Sequence, residues 1–204
     1  MSKDNHSVEK RMFNTQFRQI EQDGTGRTVS GYAAVFNSPT TIGWFTEIIE
    51  PGAFDDAIAA SDARALFNHE DEYLLARQSS GTLKLSIDDR GLKYEFESPE
   101  TSMGNDILVM INRGDLKESS FAFTVAEQSW EEAADEEGNW SYTRRIKKVD
   151  RLYDVSPVTY PAYPDTSVAA RSLKEWAERA SKLPKPPSNA VPIDSAAFLR
   201  LKYD

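Results

Sequence analysis

Apolar and polar residues alternate along most of this chain in short runs broken by Gly, Asn and Asp, the pattern of half-buried β-strands joined by turns. The clearest case is residues 81–87, where Leu83, Leu85 and Ile87 share a face. A turn over 88–91 follows, and Leu92, Tyr94 and Phe96 continue the alternation, which predicts a hairpin. Residues 11–22 alternate weakly and are followed by the turn signal Asp23-Gly24-Thr25-Gly26, so a strand over 28–36 should close a second hairpin. Residues 37–43 read as a loop, 44–50 as a strand, and 65–68 as a short buried strand that delivers His69. A long strand over 119–130, with Phe121, Phe123 and Val125 on one face, should return over 140–149. Between them the acidic run 131–138 cannot bury its charges and reads as a solvated tip. A further strand spans 152–160.

Helical spacing appears in three places. Pro51 can open a helix because its missing N–H has no partner in a first turn, and Phe54, Ala57 and Ile58 supply the apolar face. Thr101 reads as a cap for a helix carrying Ile107, Leu108, Met110 and Ile111 and stopped by Gly114. A third helix over 172–183 ends at Pro184-Lys185-Pro186-Pro187. About eight strands against three helices predict a β-rich α+β domain. Its expected limits are a disordered N-terminal arm over 1–10, a folded domain over 11–183, and a Pro-rich linker and tail over 184–204 holding Phe198, Leu199 and Leu201.

Composition narrows the chemistry. The 204 residues contain no Cys and two His, which excludes a cysteine nucleophile, disulfides and thiolate zinc sites and argues against a histidine-rich metal site; no metal and no cofactor are expected. No run approaches the roughly 18 apolar residues that span a bilayer, and no signal-like segment opens the sequence, so no membrane partner is expected. The net charge of −9 is uneven: residues 1–18 carry +2 and 171–204 carry +3, leaving an acidic middle of −14. Such a body cannot neutralise phosphates, and nucleic acid is not an expected partner.

Among the remaining groups, His69 is the one histidine in the body of the chain, since His6 lies in the polar N-terminal stretch. Imidazole can take and return a proton near neutral pH, which an activated serine hydroxyl requires. Two serines, Ser119 and Ser120, open the long strand before Phe121-Ala122-Phe123. Adjacent strand residues face opposite ways, so only one of them can meet His69. Asp154 supplies a carboxylate in another strand. An oxyanion would need N–H donors, for which Ala162 and Tyr163 in the turn after Pro161 are candidates, with Arg113 or Arg77 assisting by side chain or water.

Several blocks occur in an order that resembles a known family. They are Gly31-Tyr32-Ala33-Ala34-Val35-Phe36, Glu47-Ile48-Ile49-Glu50-Pro51-Gly52-Ala53-Phe54, Phe67-Asn68-His69, Gly81-Thr82-Leu83, Arg113-Gly114-Asp115-Leu116, Ser119-Ser120-Phe121-Ala122-Phe123 and the segment from Leu152 to Tyr163. Together they resemble the prohead proteases of HK97-like tailed bacteriophages. The resemblance implies that His69 and Ser120 are the catalytic pair, with Asp154 at the family's acid position. It also implies a fold like that of herpesvirus assembly proteases, a single β-barrel-like domain surrounded by a few helices. Those enzymes use a second histidine where this chain offers a carboxylate. Many family members have Gly where Ala122 stands, a change that should be tolerated unless the residue needs a positive φ.

The activity so implied is a serine endopeptidase of capsid maturation. It would act inside an assembling procapsid in the host bacterial cytoplasm, cutting the scaffold segment of a major capsid protein or a separate scaffolding protein, and itself. A homo-oligomeric state is left open. The alternative reading is a catalytically weak or inactive capsid-assembly or scaffold-binding protein of the same fold, for which the Pro-linked tail would serve as a docking extension. A glycosidase-like carboxylate pair is disfavoured because the acids cluster in turns.

Overall fold

Among residues 8–13, 18–20 and 26–159, which the computed structural model describes, the chain forms eleven strands and two helices. In chain order these are β1 (Glu9–Phe13), β2 (Arg18–Ile20), β3 (Thr28–Val35), β4 (Thr40–Ile42), β5 (Phe45–Ile49), α1 (Asp55–Ala60), β6 (Arg64–Phe67), β7 (Glu70–Arg77), β8 (Leu83–Ile87), β9 (Gly91–Glu97), α2 (Ser102–Arg113), β10 (Glu118–Ala134) and β11 (Trp140–Val158). The protein is β-rich with few helices, as the alternation predicts.

The strands form two sheets. The smaller has the order β2-β3-β9-β8 and contains the expected β8–β9 hairpin. The larger follows the path β1-β10-β11-β5-β4, with β6 and β7 branching from β11. The expected barrel is not formed: neither sheet closes on itself. The physical reason lies in β11, which keeps β10 on one edge but changes partner on the other. It pairs with β5 over Thr143 to Ile146 and with β6 at Asp154 and Val155, both in parallel. The larger sheet therefore forks instead of curling round to its own edge.

One apolar core joins the two sheets. Val29, Leu92, Tyr94 and Phe96 from the smaller sheet meet Phe121, Phe123, Ile146, Leu152 and Val155 from the larger, with Ala57 of α1 and Ile107 of α2 in the same cluster. Helix α2 is bounded as its sequence predicts. The Thr101 hydroxyl accepts from Gly104 N–H at 3.1 Å, and Gly114 adopts φ 76° at the C-terminus, where a side chain would be strained. A second cluster, built on Ile42 and Phe45, stacks Trp44 on Trp130 at 5.7 Å.

Several boundaries differ from expectation. Residues 140–149 and 152–160, read as two strands, are one continuous strand through Val158. The loop over 37–43 contains β4, and the strand over 11–22 is two strands in different sheets. The arm expected to end at residue 10 overlaps β1, which begins at Glu9. What orders β1 is charge: Glu9 and Arg11 are buried against Glu47 and Arg144, a contact that no apolar period reveals. The helix over 172–183 and the tail over 184–204 lie outside the described residues.

Candidate active site

The site is carried by three elements that cross one end of the larger sheet. Strands β10 and β11 place Ser120 directly opposite Ser156 and Ala122 opposite Asp154. Residues two apart in a strand share a face, so Ser120 and Asp154 lie on one side. Ser119 lies on the other, where its hydroxyl donates to the phenol of Tyr94 at 3.2 Å. Of the two serines, Ser120 is the one that meets His69.

His69 reaches this face from a tight turn. Phe67 pairs with Glu70 across β6 and β7, leaving Asn68 and His69 as a two-residue connection. Both have positive φ, 56° and 60°. That is the signature of a type I′ hairpin, in which Asn is favoured at the first position and Gly at the second. An imidazole therefore stands where a glycine would be easier, a strain of the kind held at functional sites. The turn is pinned to the end of β11: Asn68 N–H donates to Pro157 O at 3.0 Å, and Asn68 Oδ1 accepts from Thr159 N–H at 2.9 Å and from its hydroxyl at 3.3 Å.

This pinning sets the ring between two partners. Nδ1 of His69 lies 2.6 Å from Asp154 Oδ1, and Nε2 lies 2.6 Å from Ser120 Oγ. The His69 and Asp154 side chains are 5% and 9% exposed and Ser120 is fully buried, so these contacts are largely removed from water. Two further bonds complete the set. Ser156 Oγ donates to Asp154 Oδ1 at 2.5 Å, and Ser120 Oγ donates to the Arg11 carbonyl of β1 at 2.9 Å.

The geometry is that of a hydroxyl, a base and an acid in series, and a family match decides where it belongs. Residues 13–179 match the family model described as caudovirus prohead serine protease. The chain belongs to that family. The matched span covers β2 to β11 and therefore His69, Ser120 and Asp154. No curated protein and no solved structure matches the chain significantly. Membership makes this a protein of the phage serine peptidases that act within the procapsid, and the terms bacteriophage, capsid maturation and serine protease apply to its family.

The other candidates fall elsewhere. Arg113, at the end of α2, is exposed and pairs with Asp115 at 2.9 Å, and Arg77 is held by the surface carboxylate of Asp62. Ala162 and Tyr163 lie outside the described residues. Ala122 avoids the left-handed region, so its methyl meets no backbone objection two residues after Ser120. Among the described residues, no helix is long and apolar enough to cross a membrane and no group of His, Cys, Asp or Glu is arranged to hold a metal ion.

Sequence reasoning missed Asn68, Ser156 and the Arg11 carbonyl. Ser156 had a signal, since a residue two beyond Asp154 in a strand shares its face. A backbone carbonyl from a strand distant in sequence had none.

Proposed function

We propose that this protein is a serine endopeptidase in which Ser120 is the nucleophile, His69 the general base and acid, and Asp154 the orienting carboxylate. The observation that carries this reading is His69 bonding through both ring nitrogens at once, to Asp154 and to Ser120. In this scheme Oγ of Ser120 attacks the scissile carbonyl carbon as its proton passes to Nε2. The imidazolium is stabilised by Asp154, then gives the proton to the departing amine as the C–N bond breaks. Water, activated by the same ring, hydrolyses the acyl-enzyme and returns Ser120.

The oxyanion donors in this proposal are the backbone N–H groups of Ala162 and Tyr163. Support comes from the start of that segment, since Thr159 is tied to Asn68 beside the catalytic turn. The substrates proposed are a scaffold segment of the major capsid protein or a separate scaffolding protein, and the protease itself, inside the procapsid in the host cytoplasm. Membership of the prohead protease family supports that setting. The likeness to herpesvirus assembly proteases is kept in a reduced form, as a shared use of a histidine and a serine in a β-rich body and not as a closed barrel.

Co-expression with the cognate capsid protein, read by the masses of the products, tests the assignment. Ser120→Ala and His69→Ala should each leave the capsid protein uncut. Full cleavage by Ser120→Ala would remove Ser120 from the mechanism. An inactive assembly protein is the second reading, favoured by the complete burial of Ser120 and its bond to the Arg11 carbonyl. Under it the wild type would bind the capsid protein and cut nothing.

A further inference from the structure

We propose that Ser156 is a positioning residue for the reaction: its hydroxyl holds the Asp154 carboxylate in the orientation that His69 requires. The inference rests on the reading of Ser120, His69 and Asp154 as a triad and extends it by one residue.

Ser156 is fully buried on β11, directly opposite Ser120 in the antiparallel register. A serine hydroxyl has one proton to give. Ser156 gives it to Asp154 Oδ1 at 2.5 Å and not to its cross-strand neighbour. The same oxygen lies 2.6 Å from Nδ1 of His69. Two donors on one carboxylate oxygen restrict rotation of the carboxyl group and fix the direction from which it meets the imidazole. The side chain of Asp154 is nearly all buried, so water cannot readily replace a missing donor. Among the described residues His69 is the one other partner of the Asp154 side chain, so without Ser156 the ring that must turn its Nε2 toward Ser120 would follow a carboxylate free to rotate.

The arrangement also separates the tasks of the two facing serines. Ser120 bonds to His69 and to the Arg11 carbonyl, whereas Ser156 bonds to the acid. Of the two serines Ser120 is the one that touches the base, so Ser156 acts through Asp154 and has no place in bond making.

A fluorophosphonate probe, which reacts with an activated serine without needing the natural substrate, tests this on the full chain with the labelled residue located by mass spectrometry. Ser156→Ala should slow labelling of Ser120 on the order of 10- to 100-fold, the range expected for losing a hydrogen bond to a charged group. Ser156→Thr keeps a hydroxyl and should stay within a few-fold of wild type. Ser156→Val has nearly the shape of the Thr variant without its hydroxyl and should be as slow as Ser156→Ala. With capsid substrate, the loss should fall on kcat and leave KM in place. If Ser156→Ala fails to fold, the Thr and Val pair still decides. Equal rates in that pair, or wild-type labelling of folded Ser156→Ala, would overturn the proposal while leaving the triad intact. Failure of the triad reading looks different: wild-type protein would then show no labelling at residue 120, or His69→Ala would label at the wild-type rate.

Discussion

The backbone carbonyl of Arg11 accepts the hydroxyl proton of Ser120 at 2.9 Å, while Nε2 of His69 lies 2.6 Å from the same hydroxyl oxygen. A single proton cannot serve both acceptors. When it points to Nε2 the serine is set for attack. When it points to Arg11, the contact to His69 requires a proton on Nε2, and the base is already spent. Strand β1, which pairs with β10 across Ser120, thus offers the proposed nucleophile an unproductive alternative.

Ser120→Ala and Ser119→Ala should therefore look alike in stability and opposite in activity. Each removes a buried hydroxyl and leaves a buried acceptor or phenol with one bond fewer, at a cost of about 1 kcal/mol. Only Ser120→Ala should lose cleavage, because Ser119 bonds to Tyr94 on the core side. Urea unfolding alongside the cleavage assay checks both halves. Loss of cleavage in Ser119→Ala alone would move the nucleophile by one residue.

Asp154→Asn preserves shape but changes what the ring meets. The amide can present a donor to Nδ1 and favour the wrong tautomer, leaving Nε2 protonated and unable to accept from Ser120. By analogy with other triads, kcat should fall on the order of 10⁴-fold. A loss of less than about tenfold would mean that Asp154 is not the orienting acid.

Asn68 should matter in two separable ways. Its positive φ would strain an alanine by about 1–2 kcal/mol, and its Oδ1 anchors Thr159. Asn68→Ala should lose both stability and kcat. Asn68→Gly should recover most of the stability, since glycine accepts that φ, yet remain slow without the anchor. Thermal melting and single-turnover rates separate the effects, and wild-type kcat in Asn68→Gly would show that the Thr159 contact does not place His69.

Period-two patterning made β5, β8 and β9 legible, because each has one face in the core and one nearer solvent, whereas β3 and the first half of β10 are buried on both faces and were placed by their turn signals and apolar content. Capping chemistry did the same for α2 through Thr101 and Gly114. Strand β7 escaped because Glu70, Asp71 and Glu72 hide its alternation, and with it went the hairpin that explains the His69 conformation. The expectation of a barrel failed on a feature that alternation does not encode, the change of partner along β11. The three residues His69, Ser120 and Asp154 were named from the order of the motif blocks. Chain spacing of these residues carries no information about their meeting, which depends on the cross-strand register and on the Asn68 turn.

Two glycines should resist substitution for reasons of space. A Cβ at Gly91 would lie 2.0 Å from the Ala34 carbonyl oxygen, and one at Gly104 would lie 2.0 Å from that of Pro99. Both obstacles are backbone, so β3 or the start of α2 would have to move. Gly91→Ala and Gly104→Ala should each cost about 1–3 kcal/mol or more, read by urea unfolding. A cost under about 0.5 kcal/mol would show that these segments yield readily.

The last prediction concerns the charges that hold β1 against the sheet. Arg144 bonds to Glu9 at 2.6 and 2.8 Å and to Glu47 at 2.9 Å, and Arg11 joins both carboxylates, at 2.6 Å to Glu47. Burial alone would raise the pKa of Glu9, but the hydrogen bond and charge of Arg144, with those of Arg11, prevail and hold it below the ordinary 4.5. A carboxyl lowered on folding contributes stability that is present above its unfolded pKa and is lost as pH falls through the folded one. Unfolding free energy should therefore decline as pH drops below about 4.5, and Glu9→Gln should flatten that decline while lowering stability at pH 7. Arg144→Met should be the more severe change, about 3–5 kcal/mol, because it leaves two buried carboxylates with Arg11 alone. Urea unfolding at a series of pH values measures all three proteins. An unchanged slope below pH 4.5 in Glu9→Gln would assign the acid sensitivity to other groups.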